Sequence, residues 1–375
     1  MADFSLIIPT FNEKDNICIL IPKLKELFIQ NSISYEIIVV DDDSPDLTWK
    51  IARDKFEDDI SVRVIRRVGK KGLSSAVIDG MSVARGKYLG VIDADMQHDE
   101  SILPRMLKEM EEYEVVIGSR KVEDGGYGEW GFIRKMMSKG ATLVAKIFLP
   151  IPVKDPMSGF FIVRKELFDE LVSSINPRGF KILLEFIGRK KQVKAKEVGY
   201  VFRTRQYGTT KMSSSVIQNY LAALYDIRFG KYISLTFLVY AFVGLIGLAI
   251  NFSIRKTSAF VFADEQNQSP LSIPVLSGFI ASLFSNYILN NIWTFKQFRI
   301  SGVLQQIKGF ITFSLISVLG LLIQLSVWNF LLQIHNITFM NPAENWLSYF
   351  YNFVGIVVAT ASNYYLNKNI TWEHN

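Results

Sequence analysis

Charged residues are distributed very unevenly along the 375-residue chain, and this constrains its fold more than any other feature. Only 11 of the last 145 residues are Lys, Arg, Asp or Glu, whereas 67 of the first 230 are. Four stretches contain none of these residues, namely 232–254, 266–295, 309–343 and 345–367. Each can supply the roughly 20 apolar residues that cross a bilayer core. The sequence therefore predicts a water-exposed domain over 1–229 and an all-α membrane domain over 230–375.

The charge-free stretches predict four transmembrane helices, near residues 232–252, 271–292, 310–332 and 346–366. Basic residues flank these helices more often on the side of the first domain, at Lys231, Lys296, Arg299, Lys308 and Lys368. The positive-inside rule then predicts a multi-pass cell-membrane protein whose first domain is cytoplasmic. The single cysteine, Cys18, forms no internal disulfide and is compatible with that reducing compartment.

A short segment of the membrane domain occurs twice. The sequence SNYILN at 285–290 returns as SNYYLN at 362–367. This predicts two related helix hairpins. Asn286 and Asn290 lie four residues apart on one helix face, and so do Asn363 and Asn367. These asparagines are expected to pack across helices, since amide side chains in lipid usually contact a neighbouring helix, and a polar transport pathway is the weaker interpretation.

The first domain alternates short apolar runs with helical patterns. Runs rich in β-branched residues occupy 4–8, 35–40, 62–66, 88–92 and 115–118, and helical patterns include 17–30, 73–84 and 101–112. This alternation predicts an α/β domain with a mostly parallel, Rossmann-like sheet. In such sheets ligands bind at the carboxyl ends of the strands.

Acidic side chains follow three of these strands. Glu13 comes after the first, Asp42 after the second, and Asp93 and Asp95 after the fourth. Neighbouring carboxylates repel each other unless a cation joins them, and Mg²⁺ or Mn²⁺ takes one or two carboxylates together with phosphate oxygens. Neither a G-x-G-x-x-G nor a G-x-x-x-x-G-K-[ST] motif is present, so dinucleotide-fold and P-loop interpretations are not favoured.

Seven motifs carry a family resemblance, at 8–13, 40–46, 71–73, 93–98, 118–120, 155–160 and 205–211. On these motifs the chain resembles the inverting nucleotide-sugar glycosyltransferases with the GT-A fold. Within that class it resembles the polyprenyl-phosphate glycosyl synthases, and among them the dolichyl-phosphate mannose synthases. The membrane domain resembles the small four-helix domain fused to some of these enzymes.

The resemblance implies a donor site for GDP-mannose. The nucleotide-sugar-binding residues would be Pro9, Thr10, Glu13, Val40, Asp42, Lys71, Asp93 and Ala94, with Asp42 at the edge of the base. The same carboxylate can also bond uracil, so UDP-glucose stays open as a donor. Asp93, Asp95 and Gln97 would hold Mg²⁺ or Mn²⁺. His98 could be an outer ligand of that ion, but a solvent-facing or supporting role is favoured. Asp95, Arg120 and Asp155 are the candidate catalytic residues.

The acceptor implied by the resemblance is dolichyl phosphate or another polyprenyl phosphate. Its phosphate needs cations, and the candidates are Arg120, Arg134, Arg205 and Lys211, with Ser138 as a hydroxyl donor. A phosphate monoester is largely a dianion at neutral pH, so it needs positioning more than a general base. The products would be dolichyl phosphate mannose and GDP.

Two amphipathic segments, about 130–149 and 213–229, combine apolar residues with Lys and Arg. They are interpreted as helices in the membrane interface, which makes the lipid bilayer a partner. The net charge of +6 is too small to favour nucleic acid.

Three alternatives bear on this interpretation. Processive polysaccharide synthases share the domain class, but the sequence lacks their Q-x-x-R-W motif. A UDP-glucose-dependent polyprenyl-phosphate glucosyltransferase remains open. A lipid-linked sugar translocase belongs to another class of protein; the repeated hairpins permit it, whereas the lack of charge within the helices does not favour it.

Overall fold

The structure, a computed structural model, describes residues 2–176, 181–190, 192–204, 214–262, 272–335 and 346–372. The chain divides into two compact units, Met1–Lys231 and Tyr232–Asn375. This boundary lies two residues beyond the one that the charge distribution predicts.

A seven-stranded sheet forms the centre of the first unit. Its strands are β1 (Phe4–Thr10), β2 (Tyr35–Asp41), β3 (Val62–Arg66), β4 (Tyr88–Val91), β5 (Val115–Ser119), β6 (Phe161–Arg164) and β7 (Ala195–Gly199). Their spatial order is β3-β2-β1-β4-β6-β5-β7, and only β6 runs antiparallel to its neighbours β4 and β5. The predicted α/β fold with a mostly parallel sheet is confirmed.

Eight helices accompany the sheet in the described part of this unit. They are α1 (Lys14–Gln30), α2 (Thr48–Lys55), α3 (Leu73–Val83), α4 (Leu103–Glu109), α5 (Phe132–Phe148), α6 (Lys165–Leu171), α7 (Ile182–Arg189) and α8 (Ser214–Phe229).

The alternation of side chains along β1 builds a core on each face of the sheet. Leu6 and Ile8 belong to a buried cluster that includes the apolar side of α1, whereas Ile7 belongs to a second cluster with Val77 of α3 and Leu224 of α8. A strand buried on both faces is apolar without interruption, which explains the run at 4–8.

The carboxyl ends of three strands meet at one edge of the sheet. β1 lies between β2 and β4, with Thr10 opposite Asp41 and Ile7 opposite Val91. The residues that follow these three strands are therefore neighbours, as expected for a parallel sheet.

Four helices make up most of the second unit. They are α9 (Leu235–Val261), α10 (Ile273–Leu289), α11 (Val303–Ile334) and α12 (Trp346–Leu366). Both α10 and α12 continue into π-helical segments, Asn290–Thr294 and Asn367–Trp372.

Three helical spans in the described residues are long and apolar enough to cross a membrane: Leu235–Val261, Ile273–Thr294 and Val303–Ile334. The sequence predicts a fourth span at 346–366. A helix of 21 residues does form there, but it is not among these spans, and its Ser, Asn and Tyr residues make it less hydropathic.

The sequence repeat corresponds to a repeated contact between helices. A Cβ atom added to Gly247 of α9 would lie 2.2 Å from Oδ1 of Asn286 on α10. Gly320 of α11 is equally close to the side chain of Asn363 on α12. Within the described residues, the Oδ1 atoms of both asparagines are buried without a hydrogen-bond partner. The asparagines therefore pack across the hairpins against glycines.

Candidate active site

A cavity of about 510 Å³ opens where β1, β2 and β4 end. It brings together most of the residues predicted to bind a nucleotide sugar: Pro9, Thr10, Glu13, Asp42, Lys71, Asp93 and Ala94. Asp95 also lines it. The ammonium of Lys71 lies 5.6 Å from the ring centroid of Phe11, another lining residue. Carboxylates, a cation and an aromatic ring thus surround one space, a composition suited to a nucleotide with a metal-bound diphosphate.

Val40 does not line this cavity, contrary to its expected place in the donor site. Its side chain is fully buried in the core beside α3, where a Cβ atom on Gly80 would lie 2.9 Å from it. The motif at 40–46 begins inside the strand, and the side chains of a strand alternate between its two faces.

Asp42 is bound by groups that the sequence analysis did not identify. One carboxylate oxygen accepts a hydrogen bond from Nη1 of Arg67 at 2.5 Å, and the other accepts from the backbone N–H of Gly72 at 2.7 Å. Arg67 itself is buried and also donates to Asp79 and Ser75. These bonds fix the direction of the Asp42 carboxylate at the wall of the cavity.

A tight turn places the carboxylates of Asp93 and Asp95 at the same cavity. Met96 adopts a left-handed conformation with φ of 61°, and the N–H of Gln97 then donates to Oδ1 of Asp95 at 3.1 Å. Positive φ is uncommon for a residue with a side chain, and such residues concentrate at functional sites.

His98 contacts the carboxylate of Asp93 and holds it in position. Its ring nitrogens contact Oδ2 of Asp93 at 3.2 Å and the hydroxyl of Tyr200 at 2.6 Å. The side chain is 3% exposed, so a solvent-facing role is wrong and the supporting role fits.

Gln97 is not brought to the cavity with the two aspartates. It is buried, and its Nε2 donates to the backbone carbonyl of Arg203 at 3.2 Å. Of the three predicted metal ligands, the structure therefore places Asp93 and Asp95 together and directs the Gln97 amide elsewhere.

The donor set at this cavity fits a hard divalent cation. Two carboxylates face a space large enough for a diphosphate, and Mg²⁺ or Mn²⁺ characteristically combines one or two carboxylates with phosphate oxygens and water. The described residues include no group of three or more His, Cys, Asp or Glu side chains that could hold a metal on their own. Substrate oxygens would thus have to complete the coordination.

A second cavity of about 440 Å³ lies in the same unit. Arg120, Arg134 and Ser138, predicted to bind the acceptor phosphate, all line it. Apolar side chains from α5 and α8 form much of the remaining wall: Met137, Ala141, Val144, Ile217, Leu221 and Ala223. This combination of cations and apolar wall suits a phosphate attached to a hydrocarbon chain.

Arg120 is held by Asp155. Nε and Nη2 of Arg120 donate to the two carboxylate oxygens at 2.7 and 2.8 Å, and its backbone N–H donates at 3.2 Å. Burial of Asp155 favours its neutral form, but the hydrogen bonds and charge of Arg120 outweigh this and hold the pKa of Asp155 below its usual range. Asp155 is therefore a charged anchor for Arg120 and is unsuited to act as a base near neutral pH.

Trp130 lies between the two arginines of this cavity. The guanidinium carbon of Arg134 is 3.9 Å from the Trp130 ring centroid, and that of Arg120 is 5.1 Å away. Cation–π contacts orient guanidinium groups without using their N–H donors. The contact with Trp130 thus helps to orient the Arg134 guanidinium in this cavity.

One loop connects the two cavities. Asp155 at its start binds Arg120, and a Cβ atom on Gly159 near its end would lie 2.7 Å from Oδ2 of Asp93. Ser158 fixes the loop by donating to the carbonyl of Gly118 at 2.7 Å. The motif at 155–160 therefore contacts both the candidate metal ligand and the candidate acceptor site.

Two predicted acceptor residues, Arg205 and Lys211, lie outside the described residues. Two charged residues of the second cavity, Lys181 and Glu185, were not identified from the sequence. Glu185 is paired with Arg189, and burial raises the pKa of Glu185. Neither residue belongs to a recognisable motif, so only their contacts in the fold reveal them.

Comparison with known families defines the class of protein. Residues 5–172 match Glycosyl transferase family 2, and residues 239–372 match the GtrA/DPMS transmembrane domain. The chain is thus a glycosyltransferase with a membrane domain.

Curated relatives specify the family further. A dolichol-phosphate mannosyltransferase of Pyrococcus furiosus is 35% identical, over 98% of this chain and 99% of its own length. The enzyme of the same name from Saccharomyces cerevisiae is 32% identical over 61% of this chain and 88% of its own. The chain belongs to the dolichol-phosphate mannosyltransferase family.

A solved structure is similar to part of this chain at lower identity. Glucosyl-3-phosphoglycerate synthase from Mycobacterium tuberculosis, in complex with Mn²⁺, UDP and glucosyl-3-phosphoglycerate, gives a TM-score of 0.45 at 18% identity. The match covers 60% of this chain and 80% of that one.

Proposed function

We propose that this protein transfers mannose from GDP-mannose to the phosphate of dolichyl phosphate or a related polyprenyl phosphate, with inversion at the anomeric carbon. The observation that carries this proposal is the pair of cavities joined by the loop at 155–160. One is lined by Asp42, Asp93 and Asp95, and the other by Arg120, Arg134 and an apolar wall. The names of the family members support mannose as the sugar and dolichol phosphate as the acceptor.

The residues of this chain contribute positioning and charge compensation. An acceptor phosphate oxygen forms a bond to the anomeric carbon as the bond from that carbon to the donor diphosphate breaks, and GDP leaves with the electron pair. No proton needs to move, because the acceptor phosphate is largely ionised near neutral pH. Arg120 and Arg134 compensate its charge and hold it near the donor.

Asp93 and Asp95 would hold Mg²⁺ or Mn²⁺, with His98 fixing the position of Asp93. When bound, that ion supplies electrostatic stabilisation to the diphosphate leaving group. Asp42, directed by Arg67 and Gly72, would contact the edge of the base.

The proposed location is the cytoplasmic face of the cell membrane. The excess of Lys and Arg on one side of the apolar helices supports that orientation. Several residues of α5 expose large apolar side chains, among them Phe132, Ile133 and Ile147 at 76%, 75% and 71%. Such a surface suits the membrane interface, where a polyprenyl phosphate presents its headgroup.

The proposal assigns the two substrates to different cavities, which two variants can separate. Asp95→Asn should weaken Mn²⁺-dependent binding of GDP-mannose, because it removes one of two anionic ligands. Arg134→Gln should raise the KM for polyprenyl phosphate about tenfold or more and leave GDP-mannose binding unchanged, since a charge-assisted hydrogen bond is lost.

Calorimetry of GDP-mannose binding and transfer kinetics in detergent measure both effects on the full chain. Lys139→Gln, an exposed change on the same helix as Arg134, is the matched control and should alter neither quantity. Loss of GDP-mannose binding in Arg134→Gln would contradict the division of substrates between the cavities.

A further inference from the structure

Lys181 carries a positive charge that the part of the protein described by the structure does not neutralise. It lies directly before α7, and its Nζ donates to the backbone carbonyl of Met157 at 3.3 Å. Among the described residues its Nζ forms no ion pair, and this carbonyl is the only hydrogen-bond partner of Nζ. Burial and the charge of Arg120 lower the pKa of Lys181, and the more weakly acting charges of Asp93 and Asp155 do not offset this. A partly buried ammonium with one neutral partner is costly unless an anion joins it.

The position of Lys181 indicates which anion that is. Lys181 and Met157 line the 440 Å³ cavity together with Arg134 and Ser138. Lys181 is not among the residues that line the 510 Å³ cavity containing Asp42 and Asp93. An anion bound at Lys181 therefore occupies the space assigned to the lipid acceptor.

The phosphate of the acceptor carries more negative charge than Arg120 and Arg134 together compensate in this cavity. A phosphate monoester carries a charge of about −1.5 to −2 at neutral pH. Arg120 already shares two of its side-chain donors with Asp155, so much of its charge is compensated within the protein. Glu185 also lines this cavity but is paired with Arg189. Among the described residues of the cavity, Arg134 and Lys181 then supply the remaining positive charge.

We propose that Lys181 binds the phosphate of the lipid acceptor directly, as a third cation beside Arg120 and Arg134. Its Nζ donates to the carbonyl of Met157, so Lys181 contacts the loop at 155–160. Gly159 of the same loop packs against Asp93. Lys181 would thereby hold the acceptor phosphate on the side of the cavity that adjoins the donor. This assignment rests on the proposed function and adds a substrate-contacting residue to it.

The test compares Lys181→Met, Lys181→Arg and the control Lys196→Met in the full-length protein. Lys196 is an exposed lysine of β7 that lines neither cavity. In Lys181→Met the KM for polyprenyl phosphate should rise about 10- to 100-fold, because a charge-assisted hydrogen bond to the substrate is lost. Binding of GDP-mannose with Mn²⁺, measured by calorimetry, should stay within about twofold. Lys181→Arg should recover most of the acceptor affinity.

A matched pair of inhibitors separates contact with the phosphate from a change in cavity shape. A short prenyl phosphate should lose affinity in Lys181→Met by the same factor as the acceptor. The prenyl alcohol of equal length lacks the phosphate, so its inhibition constant should be unchanged. If Lys181→Met does not fold, Lys181→Gln takes its place, since it keeps a donor for the Met157 carbonyl.

Three results would overturn the inference. The first is a KM for polyprenyl phosphate that is the same in Lys181→Met and Lys196→Met. The second is an equal loss of affinity for the prenyl alcohol and the prenyl phosphate in Lys181→Met. The third is a loss of GDP-mannose affinity with unchanged acceptor affinity, which would assign Lys181 to the donor diphosphate. A wild-type protein that transfers no sugar to any polyprenyl phosphate would contradict the proposed function itself, and that outcome is distinct from all three.

Discussion

In the first unit, Asp155 fixes the orientation of the Arg120 guanidinium. Asp155 is fully buried, and Glu197 fixes the start of its loop by accepting hydrogen bonds from the N–H groups of Lys154 and Asp155. Nε and one N–H of Nη2 of Arg120 donate to Asp155, so Asp155 does not use the two N–H groups of Nη1 or the second N–H of Nη2. The anchored pair thereby sets the direction in which Arg120 can bind an oxyanion.

Asp155→Asn should destabilise the first unit by about 3–5 kcal/mol, because it leaves the buried Arg120 charge unpaired. The native pKa of Asp155 is depressed, so its stabilising contribution is fully present above the unfolded value, near 4, and is lost as pH falls toward the native value. The variant should lack this part of the acid sensitivity. Thermal unfolding of the detergent-solubilised protein between pH 3 and 7 measures both effects.

Asp54→Asn is the matched control, since Asp54 is exposed and, in the part of the chain that the structure describes, forms an ion pair only with its exposed neighbour Arg53. It should leave the unfolding temperature nearly unchanged. Equal stability of Asp155→Asn and Asp54→Asn at neutral pH would mean that Asp155 does not anchor Arg120.

Residues at the ends of parallel strands could be located from the sequence, and residues joined by long-range contacts could not. Asp42, Asp93 and Asp95 line one cavity because the strands before them are neighbours in the sheet. Tyr200, in contrast, contacts His98 across 102 positions of sequence. No local pattern reveals such a contact, and the same holds for Lys181.

Helices α5 and α8 are the elements that join the candidate acceptor cavity to an apolar surface. They contact each other through the hydroxyl of Tyr220, which donates to the carbonyl of Ala141 at 2.5 Å. Their inner sides are closed by Ala145 and Leu224, both fully buried. Their outer sides expose large apolar residues, so each helix has one face for the core and one without a protein partner among the described residues.

The double variant Ile133→Ser/Ile147→Ser should impair use of an acceptor embedded in vesicles and spare a short, soluble acceptor. Both side chains are more than two-thirds exposed, so folding should be little affected, while the apolar area available to lipid decreases. The KM for the vesicle acceptor should rise about fivefold or more.

Ile29→Ser/Ile60→Ser removes two isoleucines outside α5 and α8 that are 66% and 99% exposed, and it serves as the control. Parallel kinetics with vesicles and with soluble acceptor distinguish the two surfaces. An equal effect of both double variants on the vesicle acceptor would show that α5 has no special role at the membrane.

The predicted strands agree with the observed strands to within two residues at their ends. The helices of the second unit were harder to delimit. α9 continues to Val261, although Arg255 and Lys256 suggested an end near 252. A helix does not have to end at its first charged residues, because long basic side chains can extend toward polar surroundings. Charge therefore locates the apolar segment better than it locates the helix terminus.

At the scale of the whole molecule, the division in charge corresponds to the division into two compact units. The first contains the sheet and both cavities, and the second contains the long apolar helices. Within the second unit, the two hairpins repeat the same Gly–Asn contact, with Gly247 against Asn286 and Gly320 against Asn363. The composition of the sequence predicted the division into two units. It does not distinguish GDP-mannose from UDP-glucose as the sugar donor.

Transfer of mannose from GDP-mannose to a lipid phosphate can be measured with a panel of radiolabelled donors. Membranes containing the protein, polyprenyl phosphate and Mn²⁺ are supplied with labelled GDP-mannose or labelled UDP-glucose. Membranes that contain Asp95→Asn are the matched control. We expect label in the lipid extract when labelled GDP-mannose is supplied and little label when UDP-glucose is supplied. Membranes that contain Asp95→Asn should show strongly reduced transfer from GDP-mannose. Equal or greater labelling from UDP-glucose, or no lipid-linked label from GDP-mannose, would contradict the proposed function.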